Sequence, residues 1–154
     1  MEWGKSETPV EREVIEKVGK KLGIRFPEDY VRVAKHSHGE PPTPDVIDFA
    51  DMKEKVVGCL LSFAEDSPIN LEWTYQIHKD DLPDRMIPFC KDPFGNLYCF
   101  DYRKGEEPTI VYWYHEANRL TKVCDTFTEM ESMLYEPEMD PDMARVLKEE
   151  GIDF

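Results

Sequence analysis

Ile87–Asp101, IPFCKDPFGNLYCFD, is two short apolar runs joined by a turn. Asp92 stands where a type I turn favours Asp, Pro93 arrives with φ already set for the next position, and Gly95 closes the turn. Ile87–Cys90 and Leu97–Phe100 flank the turn with β-compatible side chains. The stretch predicts a β-hairpin, and the rest of the chain is read outward from it.

Downstream, Thr109–Tyr114 (TIVYWY) and Arg119–Cys124 read as strands. On a strand Tyr112 and Tyr114 share one face and Trp113 takes the other, so one face of the sheet is expected to be open. Thr126 and Glu129 then form a capping box ahead of a helix burying Phe127, Met130 and Leu134. Glu136–Pro141 is a polar linker. Asp140 and Pro141 open a last short helix with Met143, Val146 and Leu147 as its apolar side.

Upstream, Asn70–His78 reads as a helix with Leu71, Tyr75 and His78 along one face. Val56–Phe63 (VVGCLLSF) is too continuously apolar for a half-exposed strand and reads as one buried strand. Val46–Ala50 is a short strand candidate of undecided type, preceded by the proline-rich loop Glu40–Asp45. A helix over about Pro27–His38 is bounded by Gly39. Before it, Thr8, Pro9 and Glu11 read as the cap, first position and capping-box partner of a helix. Its face is Val10, Val14, Ile15, Val18 and Leu22, and it stops at Gly23. The first seven residues read as a loose lead-in. Two helices, then mostly strands around one helix, then helices again, predict an α+β fold. It has a central, mostly antiparallel sheet with helices packed to one side. The expected organisation is one domain over residues 8–135 and an acidic C-terminal extension over 136–154.

At 154 residues the chain is long enough to bury a core without disulfides or metal. Its net charge is −14. That balance argues against nucleic acid and anionic membrane as partners and favours a basic protein drawn in by long-range attraction. From Asp125 onward ten acids face only Arg145 and Lys148, so the last thirty residues carry more than half of the net charge. Cys59, Cys90, Cys99 and Cys124 form no CxxC pair and suit buried free thiols in a reducing compartment. The start of the chain lacks the basic and apolar regions of a signal peptide, and no apolar run reaches the length of a membrane span, so a cytoplasmic location is expected.

Catalytic patterns are weak. His36 and His38 are spaced to share a face on a strand, but they fall at a predicted helix end, where a dipole-facing role accounts for them. His78 and His115 are isolated. Asp92 and Asp101 form a conceivable acid–base pair, yet turn geometry and a strand end account for each. No catalytic residue, metal or cofactor is therefore assigned. Trp73, Tyr75, Tyr112, Trp113 and Tyr114 are expected mostly in the core. Phe94, at the turn tip, either folds back or offers an apolar knob to a partner. The residues expected to contact a protein partner are Asp92, Phe94, Asn96, Asp101 and Trp113.

Three patches carry a resemblance. Leu22-Gly23 with Phe26-Pro27-Glu28-Asp29-Tyr30 and Gly39 is similar to an "LP-x-x-Y … NG" helix. Ile87-Pro88-Phe89 through Asp92, Gly95-Asn96 and Asp101 is similar to a central hairpin, and Asp125–Glu129 to a closing "SF-x-E-F" helix. In this order they resemble the SUKH superfamily, the Smi/Knr-like domain widespread in bacteria. His38 stands where the family often has Asn, and Met130 replaces its second aromatic. The resemblance implies an α+β fold and a non-enzymatic, protein-binding role. Many bacterial members are immunity proteins that neutralise a toxin, often a nuclease. Eukaryotic relatives are regulatory interaction modules. The expected function is thus toxin neutralisation by direct binding of a basic toxin domain. The alternatives are a regulatory module without a toxin and, behind it, a metal-dependent enzyme using His36, His38 or the Asp92–Asp101 pair. Oligomeric state is left open.

Overall fold

A computed structural model describes residues 1–137. The central element is a five-stranded antiparallel meander of β5 (Cys59–Leu60), β6 (Met86–Lys91), β7 (Leu97–Asp101), β8 (Thr109–Tyr114) and β9 (Arg119–Cys124). Each strand pairs with its successor in sequence. The expected hairpin is β6–β7, one residue longer at both ends of β6 and at the end of β7. Its register shifts between Pro88 and Cys90, a bulge that leaves both Phe89 and Cys90 buried.

The period-2 alternation of β7 and β8 explains why almost every side chain there is buried. Tyr98, Phe100, Ile110 and Tyr112 face the main core. Leu97, Cys99, Val111 and Trp113 face the opposite side and pack with Leu82, Met86 and Leu120. The face expected to be open is therefore covered. The chain after the helix Leu71–His78 brings Leu82 onto it, and the His78 ring lies 5.2 Å from that of Trp113.

The main core is closed by α1 (Arg12–Leu22), α2 (Glu28–Ser37) and α4 (Phe127–Met133), and α3 (Leu71–His78) adds Leu71. The fold is α+β, with an antiparallel sheet and these helices against it. Tyr30 of α2 sits at the centre, its ring 5.1–5.8 Å from those of Phe89, Phe100 and Phe127. Across the helix layer, Asp29 accepts hydrogen bonds from the backbone N–H and hydroxyl of Thr128 at 2.9 and 2.8 Å. The predicted cap of α4 is present: Thr126 Oγ1 accepts from the Glu129 N–H at 3.0 Å.

The upstream half departs from the expected pattern in three places. Val56–Phe63 is not one strand. Its start ends β4 (Met52–Val56), which forms a hairpin with β3 (Val46–Phe49), and its middle is the short β5. The break falls at Val57-Gly58, where the chain passes against Lys91 and Asp92. Likewise α1 begins at Arg12, with no side-chain cap from Thr8. The backbone before it is engaged elsewhere, Ser6 N–H with the His36 carbonyl and Val10 N–H with that of Lys35, at 2.8 and 3.0 Å.

Nor are the first seven residues a loose lead-in. β1 (Glu2–Trp3) pairs with β2 (Pro42–Thr43), and Trp3 stacks on Phe127 at 5.7 Å while its indole N–H donates to Glu131. His38 secures the same strap. Its Nδ1 accepts from the Phe63 N–H at 3.1 Å, so Nε2 carries the proton and donates to the Thr8 carbonyl at 2.6 Å. The helix expected between Asp140 and Leu147 lies outside the described residues.

Candidate functional site: the hairpin tip

The turn between β6 and β7 is organised by one carboxylate. Asp92 is 2 % exposed, and each of its oxygens accepts two hydrogen bonds. Oδ1 takes the Phe94 and Asn96 backbone N–H groups at 2.8 and 2.9 Å. Oδ2 takes the Asn96 side-chain amide at 2.9 Å and the Tyr112 hydroxyl at 2.8 Å. Burial first, and then the bond to Asp92, push the Tyr112 phenol well above its ordinary range, so it stays a donor. Asn96, also buried, accepts the His115 N–H at 3.0 Å, and His115 Nε2 donates to the Phe94 carbonyl at 3.0 Å. Gly95 sits at φ 89°, a left-handed conformation open to glycine.

The result is a rigid tip with one outward apolar group. Phe94 is 70 % exposed, and both of its backbone polar groups are held. Beside it is an open depression of about 310 Å³, floored by Asp92, Asn96 and Tyr112 and rimmed by Lys55 and Glu116. The floor is chemically quiet, because Asp92 has its acceptor capacity filled and Tyr112 is held protonated.

The five residues expected at a contact surface part ways. Phe94 is exposed. Asp92 and Asn96 are buried and position it. Trp113, 3 % exposed, is packed on the second face with its indole N–H donated to Asn118 at 2.7 Å. Asp101 is at the opposite end of β7, so it forms no pair with Asp92. It chelates Arg103 through backbone N–H, Nε and Nη2 at 2.9–3.0 Å. Burial raises its pKa, but the Arg103 bonds outweigh this and leave it lowered. Asp92, Asn96 and Trp113 are thus buried, and Phe94 is the exposed one among the five.

Of the five aromatics expected mostly in the core, Trp73 is 57 % exposed. A signal is present: Leu71 and Tyr75 lie on one side of a short helix and Trp73 and Ile77 on the opposite side, and such a helix cannot bury both.

The histidine and cysteine candidates are also placed. His36 is exposed and His38 is buried with both ring nitrogens bonded, so the two do not converge. Among the described residues no group of three His, Cys, Asp or Glu side chains is positioned to hold a metal ion. Cys90, Cys99 and Cys124 are buried free thiols and Cys59 is half-buried. Burial raises all four, Cys124 to about 12. At pH 8 an alkylating reagent will therefore add once, at Cys59 and slowly, to the native protein. It will add four times in denaturant, counted by intact mass. Rapid native labelling of Cys90 or Cys99 would contradict this packing.

The motif residues thus belong to one framework: Tyr30 centres the core, Asp92 and Gly95 shape the hairpin, and Thr126 and Phe127 start α4. The sequence pattern of the SMI1 / KNR4 family (SUKH-1) matches residues 9–132. The chain belongs to the SMI1/KNR4 family. The match spans α1 to α4 almost completely and leaves out the strap residues Glu2–Trp3. A crystal structure of a protein from Pseudomonas syringae pv. tomato is similar to this SMI1/KNR4 domain at 15 % identity, over 73 % of this chain and 75 % of that one, with a TM-score of 0.47. Among curated proteins, none matches the chain. No helix among the described residues is long and apolar enough to cross a membrane.

Proposed function

We propose that this SMI1/KNR4 domain is a non-enzymatic immunity protein that neutralises a basic, nuclease-type toxin domain by direct 1:1 binding inside the cell. The carrying observation is Phe94: an aromatic side chain exposed at a tip whose backbone is already immobilised. Such a group inserts into a partner's recess with little ordering cost, which is the physical profile of an interface anchor. The net charge of −14 supplies the long-range part, since a nuclease presents cations to hold phosphate and is attracted to an acidic surface. Family membership supports the protein-binding class of function, and the saturated Asp92 carboxylate fits a positioning role better than an acid–base one.

The test is co-expression with a toxin domain encoded beside this gene. The pair is expected to co-purify and to restore growth, with association slowing as salt rises. Phe94→Ala should weaken binding by about thirty-fold or more. The same substitution should leave folding stability within about 0.5 kcal/mol, because the side chain is already in water. A partner that neither co-purifies nor is neutralised removes this reading.

A further inference from the structure

Among the described residues five large apolar side chains are exposed: Met1, Val14, Trp73, Ile77 and Phe94. Trp73 and Ile77 lie one turn apart on α3, 57 % and 49 % exposed. With Gln76 and Asp80, also exposed, they form an outward stripe at spacings of three and four. The helix beneath them is fixed. Asn70 caps it at the Trp73 N–H, and Leu71 and Thr74 are buried on its inner side. Tryptophan is among the residues most enriched at interface hot spots.

The stripe has an acidic rim. Between Glu65 and Asp84 the sequence holds six acids (Glu65, Asp66, Glu72, Asp80, Asp81 and Asp84) and one cation, Lys79. All but Glu72 are exposed, and Glu72 pairs with Lys21 at 3.6 Å. A second copy of this chain is a poor occupant, because a two-fold pairing would lay this rim against itself. A basic surface with an apolar recess is complementary in both respects. The helix that carries the stripe is also tied to the hairpin tip through side chains beneath the surface. The His78 ring packs 5.2 Å from Trp113, Trp113 lies 6.2 Å from His115, and His115 holds the Phe94 carbonyl.

We propose that the outward face of α3, Trp73 and Ile77 within the Glu65–Asp84 rim, docks a basic protein partner, with Phe94 at the far end of the same footprint. This rests on the reading of the chain as a binder of a basic protein and assigns that binder its contact face. The test places the photo-crosslinker p-benzoylphenylalanine at position 77, and separately at position 94, of the full chain in its native cell. Both positions should yield the same adduct, with a basic protein. That protein, purified, should bind Trp73→Ala/Ile77→Ala at least about thirty-fold more weakly than the parent, with an unchanged thermal midpoint. An adduct between two copies, an acidic partner, or unchanged affinity overturns the proposal. Crosslinking at 94 without crosslinking at 77 removes the α3 surface and leaves the protein-binding reading standing. No adduct at either position removes both.

Discussion

Asp92→Ala will cost this domain about 3–5 kcal/mol, the largest loss expected from any single polar substitution in it. The carboxylate accepts four hydrogen bonds, and the Asn96 amide and Tyr112 hydroxyl that reach it are buried. Alanine leaves these donors without an acceptor, and each buried orphan costs roughly 1–3 kcal/mol. Asp92→Asn separates shape from chemistry. Its Oδ1 keeps the two backbone N–H groups, but its NH₂ opposes the NH₂ of Asn96 and forces Tyr112 to accept, for a loss of about 1–2 kcal/mol. Tyr112→Phe removes one bond, and about 1 kcal/mol. Urea unfolding midpoints should follow that order. A loss below about 1 kcal/mol for Asp92→Ala would mean that the hairpin is held by something other than this hub.

The second large effect comes from a methyl group. A Cβ on Gly58 would stand 2.3 Å from the Lys91 carbonyl oxygen and 3.1 Å from the Asp92 Cα, both backbone atoms. No rotamer relieves such a clash, so β5 must separate from the end of β6. Gly58→Ala is expected to cost about 3 kcal/mol or more, at or beyond the upper end of ordinary overpacking. The shift also reaches the Asp92 hub. Gly58→Ala and Asp92→Ala are therefore non-additive, the double variant losing less than the sum of the two. Additive losses, or a Gly58→Ala protein with native stability, would show that the two backbones do not meet so closely.

Gly58 also marks where the sequence became hard to read. VVGCLLSF has the composition of a buried strand, and its residues are largely buried. What composition cannot convey is that the chain leaves one sheet at Val56 and enters another at Cys59, with a glycine at the crossing because another backbone passes there. The hairpin was legible because its turn is local: Asp, Pro and Gly act on φ within four residues. The cap of α4 was legible for the same reason. The Thr8–Glu11 box failed because its backbone is bonded to α2, a contact no local pattern reports. At the candidate site, the turn chemistry of Asp92 is legible in the sequence and its burial is not. The partner that buries it, Tyr112, is twenty residues away on β8. The cover over Trp113 is not legible in the sequence, because the chain that supplies it, near Leu82, precedes the hairpin and has no strand or helix pattern of its own.

The pairing of Trp3 and Asp29 with α4 has a consequence for synthesis on the ribosome. The meander needs only neighbours in sequence, so β5 to β9 can assemble as they emerge. The strap and α2, made first, take contacts from residues made about a hundred or more positions later: Thr128 for Asp29, and Phe127 and Glu131 for Trp3. The N-terminal layer therefore waits, with Tyr30 and its neighbours lacking the Phe127 face of their core, until α4 leaves the exit tunnel. Closure of the domain is timed by its last described helix, and a nascent chain is at its most exposed immediately before that helix appears.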